Sequence, residues 1–131
     1  MKTITGRFDV KSTPVDADET TKAVGAMRMR FDKVFSGALE GRGIVAFLGV
    51  MDKAKGSGGY VGLEFVEAVI DGRTGAFLLQ HSCTMTQGKQ KQSIVVVPDS
   101  GNGDLAGLTG EMKIDIRAGG EHFYAFDYDL P

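Results

Sequence analysis

Along most of this chain, hydrophobic and polar residues alternate with a period of two rather than the 3.6 of a helix. In "ITGRFDVKS" (4–12), Ile4, Phe8 and Val10 share one face and Arg7, Asp9 and Lys11 the other. "AMRMRFD" (26–32) sets Met27, Met29 and Phe31 against Arg28, Arg30 and Asp32. "GLTGEMKIDIR" (107–117) sets Leu108, Met112, Ile114 and Ile116 against Glu111, Lys113, Asp115 and Arg117. "HFYAFDYDL" (122–130) sets Tyr124, Phe126, Tyr128 and Leu130 against Asp127 and Asp129. Each of these segments reads as a strand with one buried and one wet face.

Four further apolar runs, at 44–51, 60–70, 76–85 and 93–97, alternate less cleanly but are rich in β-branched and aromatic residues and bounded by turn signals. "DGRTG" between the second and third is a strong hairpin signal. The stretch "DADETTKAV" (16–24) reads as a polar loop rather than a turn of helix. The expectation is an all-β chain forming one domain over residues 1–131. Eight successive antiparallel strands form a meander that closes on itself into an up-and-down β-barrel and so removes its exposed edges; a two-sheet sandwich is the alternative.

The hairpin at 71–74 relates the faces of its two strands. A loop at Gly72-Arg73 places Glu64 opposite His81 and Gly62 opposite Cys83; a loop at Asp71-Gly72 shifts the pairing by two and keeps the faces. Either way Tyr60, Gly62, Glu64, Val66, Ala68 and Ile70 point inward with Phe77, Leu79, His81, Cys83 and Met85. The outer face then carries Val61, Leu63, Phe65, Val69 and Leu78, a large apolar patch to leave in water, which predicts a homo-oligomer with this hairpin at its interface.

Charge and composition narrow the function classes. A formal net charge of −2, with Lys89 and Lys91 the only dense basic spot, argues against a nucleic-acid partner. One cysteine and two histidines allow no internal disulfide and give no compact metal-ligand spacing, so neither a metal nor another cofactor is expected. No apolar run reaches membrane-spanning length and no secretory pattern is evident, so a cytoplasmic protein without a membrane partner is the expectation. The glycine-rich "PDSGNGDLAGLTG" (98–110) suggests a phosphate-binding loop, but its spacing is one residue too long for the dinucleotide fingerprint and it leads into a strand instead of a helix. It reads as a long connection folding over one end of the barrel, with Leu105 and Leu108 plugging that end.

Candidate chemistry lies inside. Glu64 and His81 are the candidate acid–base pair, set against the more ordinary reading of a buried hydrogen-bonded pair that holds strand register. Tyr60, Glu64, His81, Cys83 and Tyr124 are the candidate ligand-binding residues. Cys83 and His81 stand two residues apart on one strand, about 6.5–7 Å, which is too far for direct activation of the thiol.

The segments "GYVGLEFVEAVIDGRTGAFLLQHSCTM", "VVPDSGNGDLAGLTGEMKI" and "HFYAFDYDL" resemble an uncharacterised bacterial family, domain of unknown function 3224, over nearly the whole chain. The resemblance implies a small closed eight-stranded barrel, calycin-like and similar to that of plant allene oxide cyclase. It transfers no catalytic residue, because likeness of fold does not carry function. Three functions follow as expectations. The first is a barrel that binds a small, largely apolar molecule. The second is a cyclase or isomerase acting within the barrel through Glu64 and His81. The third is a structural or interaction module using the outer patch.

Overall fold

The computed structural model describes residues 1–131. Eight strands follow one another: β1 (Lys2–Val15), β2 (Met27–Gly37), β3 (Leu39–Asp52), β4 (Ser57–Ile70), β5 (Arg73–Thr86), β6 (Lys89–Val96), β7 (Thr109–Ile116) and β8 (His122–Asp129). Every strand is antiparallel to its chain neighbours, and β1 pairs with β8 from Lys2↔Tyr128 to Phe8↔His122. That ladder makes the sheet a closed up-and-down barrel instead of a sandwich. Up-and-down order puts the β1–β2, β3–β4, β5–β6 and β7–β8 connections at one end. The other three connections lie at the opposite end with the termini.

The β4–β5 hairpin takes the Asp71-Gly72 loop, pairing Ile70 with Arg73. Both loop residues have positive φ (50° and 75°), the type I′ pattern. A loop at Gly72-Arg73 would have forced a long side chain into that left-handed region, so the shifted register wins. Glu64 therefore faces Leu79 and Gly62 faces His81, both on the inner face as the alternation requires.

Residues 16–24 correct the reading of a polar loop, because Glu19–Val24 form a short helix, α1, between β1 and β2. Asp18 Oδ1 accepts hydrogen bonds from the Thr21 N–H (2.8 Å) and hydroxyl (2.7 Å), and Gly25 terminates the helix at φ 79°. Local capping outweighs the polar composition here.

The segment after β6 has two structural roles. Val96 ends the strand, yet β5 continues, and its Leu78, Ala76 and Thr74 N–H groups lack a β6 partner. The Ser100, Asn102 and Asp104 side chains accept from those three groups at 3.0, 2.8 and 3.3 Å. Side chains at every second position thus stand in for a strand ladder and satisfy backbone donors. Leu105 and Leu108, both essentially inaccessible, close this end of the barrel against Phe77, Phe126 and Tyr128. Phe77 and Phe126 stack with centroids 6.0 Å apart, and Phe126 stacks on Tyr128 at 5.4 Å. This half of the barrel is filled with side chains.

Candidate functional site

The inner faces of β2, β3, β4 and β5 meet in a buried ion cluster halfway along the barrel. Glu64 on β4 is fully buried. Its Oε1 accepts from His81 Nε2 on β5 at 2.7 Å and from Lys33 Nζ on β2 at 3.1 Å. His81 and Glu64 are diagonal cross-strand neighbours, within reach of long side chains. Lys33 pairs in register with Gly43 of β3, and that position without a side chain lets the lysine cross β3 to reach β4. A Cβ at Gly43 would collide with Glu64 Oε2. This oxygen is buried without a hydrogen-bond donor and lies against the side of Gly43 where a side chain would start.

Burial works to raise the pKa of Glu64. The His81 hydrogen bond and the positive charge of Lys33 outweigh it, so the carboxyl is held below its ordinary value. Lys33 Nζ also stands over the Phe8 ring, 4.7 Å from its centroid, and 5.8 Å from that of Phe35. Glu64 is its single hydrogen-bond partner, whereas an ammonium carries three donors.

Above this cluster the barrel is open. A cavity of about 610 Å³ has Lys33 and His81 at its floor and Val10, Phe31, Val45 and Phe47 among its walls. Glu64 does not line it; the carboxylate lies behind the other two groups and orients them. His81 Nε2 is engaged by Glu64, and the His81 side chain lines the cavity although little of it is exposed. Beyond the Phe31, Phe47 and Tyr60 side chains, a second hollow of about 300 Å³ is bordered by Met27, Met29, Met51 and Met85.

The candidate residues divide between these regions. Tyr60 lines the cavity, with its ring 4.9 Å from Phe47. Burial, reinforced by Cys83 and partly offset by Gln92, pushes its hydroxyl pKa up to about 12. Cys83 is paired with Tyr60 in register and buried, and it faces the methionine-bordered hollow instead of the cavity. Tyr124 is outside the cavity. Its hydroxyl accepts from the Leu39 N–H at 3.0 Å and lies 3.0 Å from both the Ser36 and Leu39 carbonyl oxygens, tying β8 to the β2–β3 turn. Tyr128 packs in the filled half, whereas His122 reaches the cavity and packs against Phe8 in a tilted arrangement, ring centroids 5.1 Å apart.

Lys33 was not among the candidates, although its signal was present. The alternation of Met27, Met29 and Phe31 continues through Lys33 to Phe35, which puts a lysine on an apolar face. Gln92 was missed as well. The β6–β7 ladder contains the single pair Val95↔Glu111. Towards the open end these strands separate, and Gln92 Oε1 accepts from the Ile114 N–H at 3.1 Å. The consecutive residues Ile114, Asp115 and Ile116 all line the cavity, so it reaches the edge of β7 through this split. No group of three His, Cys, Asp or Glu side chains surrounds the cluster in a way that could hold a metal ion. No helix is long and apolar enough to cross a membrane.

No protein among those with curated descriptions matches this chain. A crystal structure of a protein of unknown function from the DUF3224 family, from Shewanella oneidensis MR-1, is 44% identical. The match covers 100% of this chain and 98% of that one, with a TM-score of 0.90. The family model described as "Protein of unknown function (DUF3224)" matches residues 4–128, and the chain belongs to that family.

Proposed function

We propose that the open half of the barrel binds one small, largely apolar molecule. The supporting observation is the cavity of about 610 Å³ above a polar floor of Lys33 and His81, within the size range and make-up of small-molecule sites. The methionine side chains beside it suit an irregular apolar guest, because they repack at little cost. N-phenyl-1-naphthylamine, an uncharged dye that brightens in apolar surroundings, tests this. One dye is expected to bind per barrel, and Val45→Trp, which fills the cavity, abolishes the signal. No brightening, or brightening that survives Val45→Trp and so comes from the outer face, overturns the reading.

A second reading is an acid–base enzyme of the cyclase or isomerase kind within an allene-oxide-cyclase-like barrel. It is favoured by the 2.7 Å contact between His81 and Glu64. His81, which lines the cavity, would exchange the proton and Glu64 would position its ring. A second proposal concerns assembly: two copies meet through the β3–β4–β5 outer face, where Val61, Leu63 and Phe65 remain 54, 51 and 43% exposed.

A further inference from the structure

The ion cluster narrows the chemistry of the guest, an inference that rests on the cavity being a ligand site. Lys33 and Glu64 carry one charge of each sign and meet at 3.1 Å, so this buried ion pair is electrically balanced. The one carboxylate lining the cavity, Asp115, is exposed at its rim and paired with Arg117 at 3.2 Å. A carboxylate or phosphate guest would thus bring an uncompensated negative charge next to buried Glu64, which is unfavourable in a desolvated site. A pure hydrocarbon would leave the remaining Lys33 donors without an acceptor, which is also unfavourable. The guest that satisfies both conditions is uncharged and carries an acceptor oxygen.

We propose that this barrel takes an uncharged, largely apolar carbonyl compound whose carbonyl oxygen accepts a hydrogen bond from Lys33 Nζ. The walls formed by Val10, Phe31, Val45 and Phe47 hold the apolar body, and the carbonyl points down to the floor. Lys33 is itself about nine-tenths buried, with 7% of its side chain exposed, so the bond forms away from bulk water. Glu64 and the Phe8 ring hold the ammonium in place.

The probe is 2-acetonaphthone, compared with 2-naphthoate at pH 8. Both compete against N-phenyl-1-naphthylamine. The ketone is expected to displace the dye at a concentration at least tenfold below that needed for the carboxylate. The infrared carbonyl band of the bound ketone is expected below its position in an alkane. In the double variant Lys33→Met with Glu64→Leu, which removes both charges and leaves no buried ion unpaired, the band moves back towards the alkane position and the ketone loses about tenfold in affinity. A carboxylate that competes as well as the ketone overturns the proposal in favour of an anion site. A bound ketone with an alkane-like band, or with a band and affinity unchanged in the double variant, overturns it while the pocket reading stands. If the dye itself fails to bind, the pocket reading falls and takes this proposal with it.

Discussion

The two halves of this barrel are built on the same eight strands yet have opposite interiors. Towards the end closed by residues 97–108, the inward positions are Leu39, Ile70, Phe77, Leu79 and Phe126, each 0–1% exposed and mutually packed. Towards the other end, Val10, Phe31, Phe47 and Ile114 border empty space. Composition sets them apart in part: the filled half is a hydrophobic cluster, whereas Ser12, Gln90, Gln92 and His122 join Lys33 and His81 in lining the cavity. Two further features separate them: a plug carrying Leu105 and Leu108 at one end only, and a buried ion cluster between the halves. One half supplies stability, which leaves the other free to retain a cavity.

The largest test of this contrast uses two phenylalanines. Phe126→Ala, in the filled half, is expected to cost about 3–5 kcal/mol of unfolding free energy, the usual range for a buried aromatic. Phe47→Ala, on the cavity wall, is expected to cost about 1–2 kcal/mol because its neighbours already border space. Urea unfolding compares them, and equal losses would show that the open half carries as much stability as the filled one.

The boundary gives the next largest effect. Glu64→Leu strands the Lys33 charge and is expected to cost about 3 kcal/mol, while Lys33→Met combined with it recovers most of that loss. A double variant no more stable than the single would show that the cluster acts by packing alone. The wild type carries a matching pH dependence. Because Glu64 has a folded-state pKa below its ordinary value of 4.5, its contribution is fully present above that value. The contribution is lost as the pH falls through the folded value. The stability difference between wild type and the double variant is therefore expected to be flat from pH 7 to about 5.5 and to shift against the wild type in more acidic solution. A difference that changes most above pH 5.5 contradicts this.

A smaller effect is expected at Gly43→Ala, whose Cβ displaces the Glu64 carboxylate. About 2 kcal/mol of destabilisation is expected from overpacking, with altered histidine resonances at His81 in NMR spectra. Unchanged His81 resonances would mean that Gly43 does not set the cluster's geometry. The smallest effect on the barrel itself is expected from Phe65→Lys on the outer face. It should change monomer stability by less than about 0.5 kcal/mol and dissociate the assembly in sedimentation velocity. A wild-type monomer at tens of micromolar would remove the assembly proposal.

Much of the fold and part of the candidate site were legible in the chain. Glu64, His81 and Cys83 were assigned to the inner face because period-two alternation survives either hairpin register. The hairpin register itself was decided by backbone sterics at Asp71 and Gly72. Lys33 is legible in principle, because the alternation at 27–31 carries two residues further to a charged side chain on an apolar face. The helix at Glu19–Val24 was masked by its composition, although its Asp18 and Gly25 caps are visible in the sequence.

Alternation, turn chemistry and strand count are local properties, and from them the sequence alone determined an eight-stranded meander, its inward faces and the pair Glu64 and His81. What it left open depends on contacts between residues far apart in the chain. Lys33 meets Glu64 across 31 positions, Tyr124 ties off the β2–β3 turn across 85, and Ser100, Asn102 and Asp104 replace a strand ladder along β5. Whether a barrel interior is solid or hollow depends on how side chains from all the strands fill a shared volume. That sum has no local signature, so only the tertiary structure decided that one half is core and the other a cavity with Lys33 and His81 at its floor.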